Sequence, residues 1–112
     1  MMFEIEIYVT DDGKRPFEKW LGNIDRQARK RVSIAIERLA EGNTGGLKSI
    51  GGGVHEIRLT YGAGIRIYLG MDGDRLVILL HGGTKHRQST DIAKAKELWR
   101  AYQDEKTTRK GD

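Results

Sequence analysis

Three short runs of sequence decide the fold of this chain: Val54-His55-Glu56-Ile57-Arg58-Leu59-Thr60, Ile65-Arg66-Ile67-Tyr68-Leu69-Gly70 and Arg75-Leu76-Val77-Ile78-Leu79-Leu80-His81. The first two alternate apolar and polar residues, which is typical of half-buried strands. The third is apolar almost throughout, which favours a central strand covered on both faces. Because residues 61–64 and 71–74 are short connections that contain glycine, we predict three consecutive antiparallel strands.

The flanking sequence adds a strand and two helices before these runs and one helix after them. Residues 3–9 alternate like a strand, and Pro16 suits the first turn of a short helix. Residues 24–40 carry an apolar side chain every three or four positions, which predicts a second helix. Residues 42–53, half of them glycine, predict a loop, and the last helix begins after Ser89 or Thr90.

The predicted element order is therefore β-α-α-β-β-β-α, an α+β fold. A chain of 112 residues has the length of one domain. We expect a mostly antiparallel sheet with the helices packed on one face over residues 1–104. A polar tail is expected to follow over residues 105–112.

Composition excludes several classes of protein. The chain has no cysteine, which excludes a disulfide scaffold, a thiolate metal site and a cysteine nucleophile. No apolar run approaches the roughly 20 residues of a membrane span, and the first residues lack the pattern of a signal peptide. We therefore expect a soluble cytoplasmic protein without a membrane partner. Most of the net charge of +4 lies in residues 45–90, which contain six basic and three acidic residues.

The alternation of the strands brings polar side chains together. If the first two runs form a hairpin, Glu56, Arg58, Arg66 and Tyr68 share the face opposite the apolar set. The third strand then delivers further titratable groups to the same region: His81, Lys85, His86 and Arg87. Lys48 and His55 come just before the first run. This placement predicts an anion site if the helices cover the other face.

The same residues admit a simpler interpretation. Antiparallel sheets often keep one solvated face, on which Glu56 would pair with Arg66 across the hairpin. No histidine pair has the helical spacing of a metal site, so we predict neither metal nor cofactor. The basic residues of the second helix are interpreted mainly as a solvated face, with contact to RNA as a second possibility.

Two longer motifs resemble a known family. They are Gly53-Val54-His55-Glu56-Ile57-Arg58-Leu59 with Gly64-Ile65-Arg66-Ile67-Tyr68, and residues 79–88 followed by Asp91-Ile92. The combination of Glu-x-Arg, Gly-x-Arg and Gly-Gly-x-Lys-x-x-Gln-x-x-Asp-Ile resembles the RelE/ParE toxin superfamily. Within it, the match is to the branch of addiction-module killer, phage Gp49-like and HigB-like proteins, and it spans nearly the whole chain.

The resemblance implies a function. It implies the toxin of a type II toxin–antitoxin system, a metal-independent endoribonuclease (an mRNA interferase) that cuts messenger RNA on the ribosome and blocks translation. The attacking group would be the neighbouring 2′-OH. The implied partners are messenger RNA, the ribosome and a cognate antitoxin, a helix-turn-helix protein encoded by the adjacent gene.

The resemblance also implies roles for single residues. Arg58 and Arg66 match arginines that stabilise the scissile phosphate, and Lys85 matches a basic residue that neutralises charge. The candidates for proton transfer are Glu56, Lys48 and His86. Lys48, Tyr68 and Arg87 are candidates for substrate binding. Tyr102 is a poor match to the tyrosine that relatives carry in the last helix, because its spacing places it on the inner face.

Two other functions stay open at this point. The first is a ParE-like inhibitor of DNA gyrase, which has the same fold without RNA chemistry. The second is a catalytically inactive member that only binds the antitoxin. The set of Arg58, Arg66 and Lys85 favours the nuclease, and an adjacent gene for a helix-turn-helix protein would support a toxin–antitoxin pair.

Overall fold

The computed structural model describes residues 2–111, with side chains as far as residue 108. The elements are β1 (Glu4–Ile7), α1 (Pro16–Asn23), α2 (Arg26–Ala40), β2 (Leu47–Gly51), β3 (Val54–Leu59), β4 (Ile65–Asp72), β5 (Leu76–Thr84), a 3-10 turn (Lys85–Arg87) and α3 (Gln88–Gly111). The predicted α+β class is confirmed, and β2 is an addition. Met1 and Asp112, at the ends of the predicted domain and tail, lie outside the described residues.

The five strands form one mixed sheet in the order β1-β5-β4-β3-β2. β3, β4 and β5 pair antiparallel, as predicted, and β1 pairs parallel with β5 at the edge. The register of the β3–β4 hairpin sets Arg58 opposite Arg66 and Glu56 opposite Tyr68. These four side chains therefore share one face of the sheet, as their alternation predicts.

β2 corrects the loop predicted over residues 42–53. Leu47 pairs with Ile57 and Lys48 pairs with Glu56, so β2 forms a hairpin with β3. The turn runs through residues 51–53, three glycines with φ of 92°, 67° and 87°, a region that side chains with a Cβ rarely adopt. The strand is difficult to recognise in the sequence, because glycine at these positions is compatible with a loop as well as with the tight turn of a hairpin.

Helices pack on both faces of the sheet, which corrects the prediction that they lie on one face. α1 and α2 cover the first face with Phe17, Ala28, Val32 and Leu39, against Ile57, Ile65, Ile67, Leu69, Val77 and Leu79. α3 covers part of the second face with Ala95, Leu98 and Trp99, against Tyr8, Val54, Tyr68, Ile78 and Leu80. The sheet is therefore the middle layer of three.

Glycines on the second face make room for α3. A Cβ at Gly70 would overlap the Trp99 ring, and one at Gly53 would lie 2.8 Å from Trp99 Nε1. The second face is thus shaped to receive a large aromatic side chain. A glycine contributes to neither apolar set of a strand, so this packing is not visible before the structure.

The end of α3 is attached to the sheet. The helix continues to Gly111, where the sequence predicts a polar tail from residue 105. Tyr8 donates a hydrogen bond to Glu105 Oε1 at 2.7 Å, and Lys106 Nζ lies 2.5 Å from Asp72 Oδ1. Within residues 2–111, no helix has the length and apolarity needed to cross a bilayer.

Candidate active site

The second face of the sheet carries the predicted polar residues, in the part that α3 leaves open. The register sets Lys48, Glu56 and Tyr68 in one row and Arg58 and Arg66 in the next. Lys48 is exposed, and the Arg58 side chain is 47% exposed. We call the surface formed by Lys48, Glu56, Arg58 and Arg66 the arginine face. Lys48 belongs to this surface because β2 pairs with β3 and sets Lys48 opposite Glu56.

Glu56 is the centre of the arginine face. Its side chain is completely buried, Oε1 accepts a hydrogen bond from Arg58 Nε at 2.6 Å, and Oε2 lies 4.0 Å from Arg66 Nε. Glu56 thus bonds Arg58 directly and lies at ion-pair distance from Arg66, and its charge offsets the mutual repulsion of the two guanidinium groups. Because Glu56 has no exposed surface, it is not placed to exchange a proton with a substrate.

The two arginines differ in exposure. Arg66 is 7% exposed, and within the described part of the chain its Nε finds no hydrogen-bond partner. Arg58 bonds Glu56 through Nε, which leaves the two terminal nitrogens of its guanidinium outside that bond. Arg58 is thus the more accessible cation, with Arg66 beneath it at the level of the sheet.

Lys85 is brought to Arg66 by Gly64. The Lys85 backbone N–H donates to the carbonyl of Gly64 at 3.0 Å. A Cβ at Gly64 would lie 3.4 Å from Lys85 Cβ and 3.5 Å from Arg66 Nη1, so both side chains pass beside this glycine. His86 and Arg87 follow in the same 3-10 turn, and all three of its side chains are exposed.

Tyr68 is buried, which argues against its predicted contact with substrate. Its side chain has no exposed surface, and its ring stacks on His81 with centroids 5.1 Å apart. Burial, together with the nearby charges of Glu56 and Asp91, raises the pKa of Tyr68 to about 12. The phenol is therefore neutral at physiological pH and lies too deep to touch a ligand on the arginine face.

Asp91 completes the buried polar group, and the sequence analysis did not single it out as a site residue. It is 9% exposed, and among the described residues its Oδ2 has no hydrogen-bond partner. Its backbone carbonyl accepts a hydrogen bond from His81 Nε2 at 2.9 Å. Burial lowers the pKa of His81, partly offset by this bond. A Cβ at Gly83 would overlap the Asp91 carboxylate, a contact between β5 and α3 that leaves no signal in the sequence.

The arrangement suits an anion held by nitrogen donors. Across residues 2–111, no three histidine, aspartate or glutamate side chains are grouped as metal ligands. Guanidinium groups bind phosphate oxygens in pairs. Arg66 lies opposite Arg58 in the sheet and passes beside Lys85 at Gly64, and Lys48 lies opposite Glu56. The predicted cationic residues thus lie around one region, with Glu56 as their internal counter-charge.

Comparison with known proteins assigns a family to this fold and site. The sequence profile described as phage derived protein Gp49-like (DUF891) matches residues 19–103, from α1 into α3. The chain belongs to the phage-derived Gp49-like family. This is a toxin-like family related to RelE and HigB. The matched segment contains every residue of the arginine face and the whole 3-10 turn.

A relative of this Gp49-like chain occurs in Haemophilus influenzae (strain ATCC 51907 / DSM 11121 / KW20 / Rd). It is described as an uncharacterized protein and is 41% identical over 83 residues, which make up 73% of this chain and 84% of the relative. The similarity therefore extends over most of both proteins. Its description adds no activity to the family assignment.

Proposed function

We propose that this Gp49-like protein is the toxin of a type II toxin–antitoxin pair and cuts messenger RNA on the ribosome without a metal ion. One observation carries the proposal. The buried Glu56 hydrogen-bonds Arg58 at 2.6 Å, and its other oxygen lies 4.0 Å from Arg66, so both arginines lie beside one carboxylate on the open part of the sheet. An ion pair that only stabilises the fold needs one arginine for one carboxylate. Here two arginines lie beside the Glu56 carboxylate, so a net positive charge remains that can bind a phosphate.

The proposed reaction needs three contributions from the protein. The 2′-OH next to the scissile bond loses a proton and attacks phosphorus, the phosphorane oxygens carry negative charge, and the 5′-oxygen leaves with a proton. The product is a 2′,3′-cyclic phosphate and a new 5′-OH end. Arginine serves the second task, because donors fixed before the reaction stabilise charge that develops in the transition state.

Arg58 is assigned to the phosphate oxygens, through the terminal nitrogens that Glu56 does not use. Arg66 supplies positive charge from below, and Lys85 adds a third cation at its side. Glu56 is a positioning residue in this proposal, because it contacts the arginines and has no exposed surface. This assignment differs from the proton-transfer role that the sequence allows for Glu56.

Proton transfer is assigned to exposed groups at the rim. His86 lies in the 3-10 turn beside Lys85, and Lys48 lies on β2 opposite Glu56. Both side chains are exposed and can approach a bound strand. Arg87, exposed in the same turn, is assigned to binding the RNA backbone. The remaining orientation of the message is assigned to the ribosome, and inhibition to a cognate antitoxin.

The test is inducible expression in a bacterial host, with mapping of the 5′ ends of transcripts. The informative variant is Arg58→Ala, because this side chain is half exposed and its loss leaves the buried Arg66 with Glu56. Arg100→Ala is the matched control, since Arg100 is exposed on α3. We expect new ends inside translated reading frames for the wild type and the control, and none for Arg58→Ala or when translation is blocked.

Other outcomes contradict the proposal in distinguishable ways. Growth arrest with intact messages would overturn cleavage and direct attention to gyrase supercoiling. Cleavage by Arg58→Ala at the wild-type level would overturn the assigned site. Expression without arrest and without new ends would leave a protein that only binds an antitoxin.

A further inference from the structure

The edge of β3 continues beyond β2 and borders two adjoining cavities. β2 begins at Leu47 opposite Ile57, so among the described residues Arg58 and Leu59 have no strand partner on that side. One cavity of about 290 Å³ lies between this edge and α2, and a second of about 230 Å³ follows toward Leu47. Arg38 and Arg58 line both, so the cavities are continuous with the arginine face.

The first cavity combines an apolar floor with a cationic rim. Ile34 on α2 is 39% exposed and lines this cavity with Leu59. The rim is formed by Arg31 and Arg38 of α2 and by Arg58. Among the described residues, neither cavity is lined by a carboxylate. This pattern fits a ligand in which a planar apolar ring is joined to a negatively charged group.

Arg31 is held in position before any ligand arrives. Its guanidinium carbon lies 4.7 Å from the centre of the Tyr61 ring. The Tyr61 hydroxyl donates to Asp25 Oδ1 at 3.2 Å, and the same oxygen caps α2 by accepting from Ala28 N at 2.8 Å. The guanidinium thus lies over the tyrosine ring, and because Arg31 is exposed, this planar cation is accessible to a nucleobase.

We propose that this cavity is a binding subsite for a nucleotide of single-stranded RNA, next to the nucleotide whose phosphate lies on the arginine face. The base stacks on Arg31 above Ile34 and Leu59, and the phosphate between the two nucleotides bridges Arg38 and Arg58. Stacking of a base on a planar cation and contact with a neighbouring phosphate are common contributions to the binding of single-stranded nucleic acid. The inference rests on the proposed function, because Arg58 belongs to both sites.

The test is direct RNA binding, independent of cleavage. A fluorescein-labelled RNA hexamer with 2′-O-methyl groups, which lacks the attacking hydroxyl, is titrated with the purified full-length chain, and its anisotropy is followed at several salt concentrations. The variants are Arg31→Ala and Arg38→Ala, and Arg100→Ala is the control. All three arginines are exposed, and circular dichroism checks that each variant is folded.

We expect Arg31→Ala and Arg38→Ala each to weaken binding by roughly five- to tenfold, the size of one stacking or phosphate contact. Arg38→Ala should also lower the slope of log affinity against log salt by about 0.7, the value for one phosphate on a single strand. Arg100→Ala should bind like the wild type.

Equal binding by all variants, or no binding by the wild type, would overturn the subsite. If the transcripts were still cut in cells, the proposed function would stand without it. Conversely, weaker binding by Arg31→Ala and Arg38→Ala together with intact transcripts in cells would support the subsite and overturn the nuclease.

Discussion

The carboxylate of Asp91 in the first turn of α3 lies against Gly83 of β5, so closely that a Cβ on Gly83 would overlap Asp91 Oδ2. Gly83 is also the β5 partner of Arg66. The start of α3 is therefore fitted to β5 at the position that pairs with Arg66 of β4. The 3-10 turn with Lys85 connects β5 directly to α3.

The first prediction is that Gly83→Ala lowers the melting temperature and, together with it, the proposed RNA-cutting activity. The added methyl group forces the start of α3 away from the sheet, and overpacking of this kind costs about 1–3 kcal/mol. Thermal unfolding measures the effect. Gly22→Ala in α1 is the control, since its Cβ meets no atom within 4 Å, and it should be neutral or stabilising.

A second substitution tests whether the effect of Gly83→Ala comes from the contact with Asp91 or from a general intolerance of β5 to larger side chains. In the double variant Gly83→Ala/Asp91→Ala, the overlapping carboxylate is gone and the nearest remaining Asp91 atom, Cβ, is 3.4 Å away. We expect the double variant to lose less stability than the sum of the losses in the two single variants. Strict additivity would show that Asp91 is not what excludes a side chain at position 83.

Glu56→Gln is expected to weaken both folding and activity. The amide keeps the shape of the side chain but removes the charge that faces the buried Arg66, and loss of a buried charged partner costs about 1–3 kcal/mol. Urea unfolding measures the stability. Cleavage should fall although Glu56 touches no substrate, because the arginines lose their fixed orientation. Unchanged stability would contradict the central position assigned to Glu56.

His81 should make stability depend on pH. Burial, and to a smaller extent Lys94, lower its pKa, while the bond to the Asp91 carbonyl and the Asp91 charge oppose the shift. The unfolded chain, with a histidine pKa of about 6.5, therefore binds more protons than the folded chain as the pH falls. The stabilisation present above pH 6.5 is lost on going down toward the folded-state pKa.

Urea unfolding between pH 5 and pH 8 checks this sign, in the wild type and in His81→Gln. The variant should show a flatter pH profile below about pH 6.5. His86→Gln serves as the control, since His86 is exposed in the 3-10 turn, and should keep the wild-type slope. Equal slopes for wild type and His81→Gln would contradict the prediction.

The last turns of α3 should contribute to stability. A chain ending at residue 104 loses the bonds from Tyr8 to Glu105 and from Lys106 to Asp72. We expect it to unfold with a free energy lower by about 1–2 kcal/mol, since each hydrogen bond contributes about 1 kcal/mol net. A chain ending at residue 108 keeps both bonds and should match the full chain. Equal stability of the two truncations would show that residues 105–108 behave as a tail.

The strands could be predicted from the sequence because their apolar alternation is strong. The pairing of Arg58 with Arg66 follows from alternation and a short hairpin alone, and the register confirms it. β2 could not be predicted, since glycine at positions 51–53 signals a loop and a tight turn equally well. Its discovery is what moves Lys48 from a loop to a position opposite Glu56.

The depth of each side chain could not be read from the alternation either. Tyr68 and Arg58 share a face, yet α3 buries the first and leaves the second half exposed. That difference depends on Trp99 fitting over Gly70, a long-range contact without a periodic signal. For the same reason, Asp91 could be recognised as a helix-start residue but not as a neighbour of the arginine face.

The most direct measurement is cleavage of a defined message in a reconstituted translation system, with the 2′-OH at the cut codon either present or replaced by 2′-O-methyl. We expect cutting of the unmodified message only when ribosomes are present, with a 2′,3′-cyclic phosphate at the new end. We expect no cutting of the methylated message, and none by Arg58→Ala. Equal cutting of both messages, or an intact unmodified message, would contradict the proposed function.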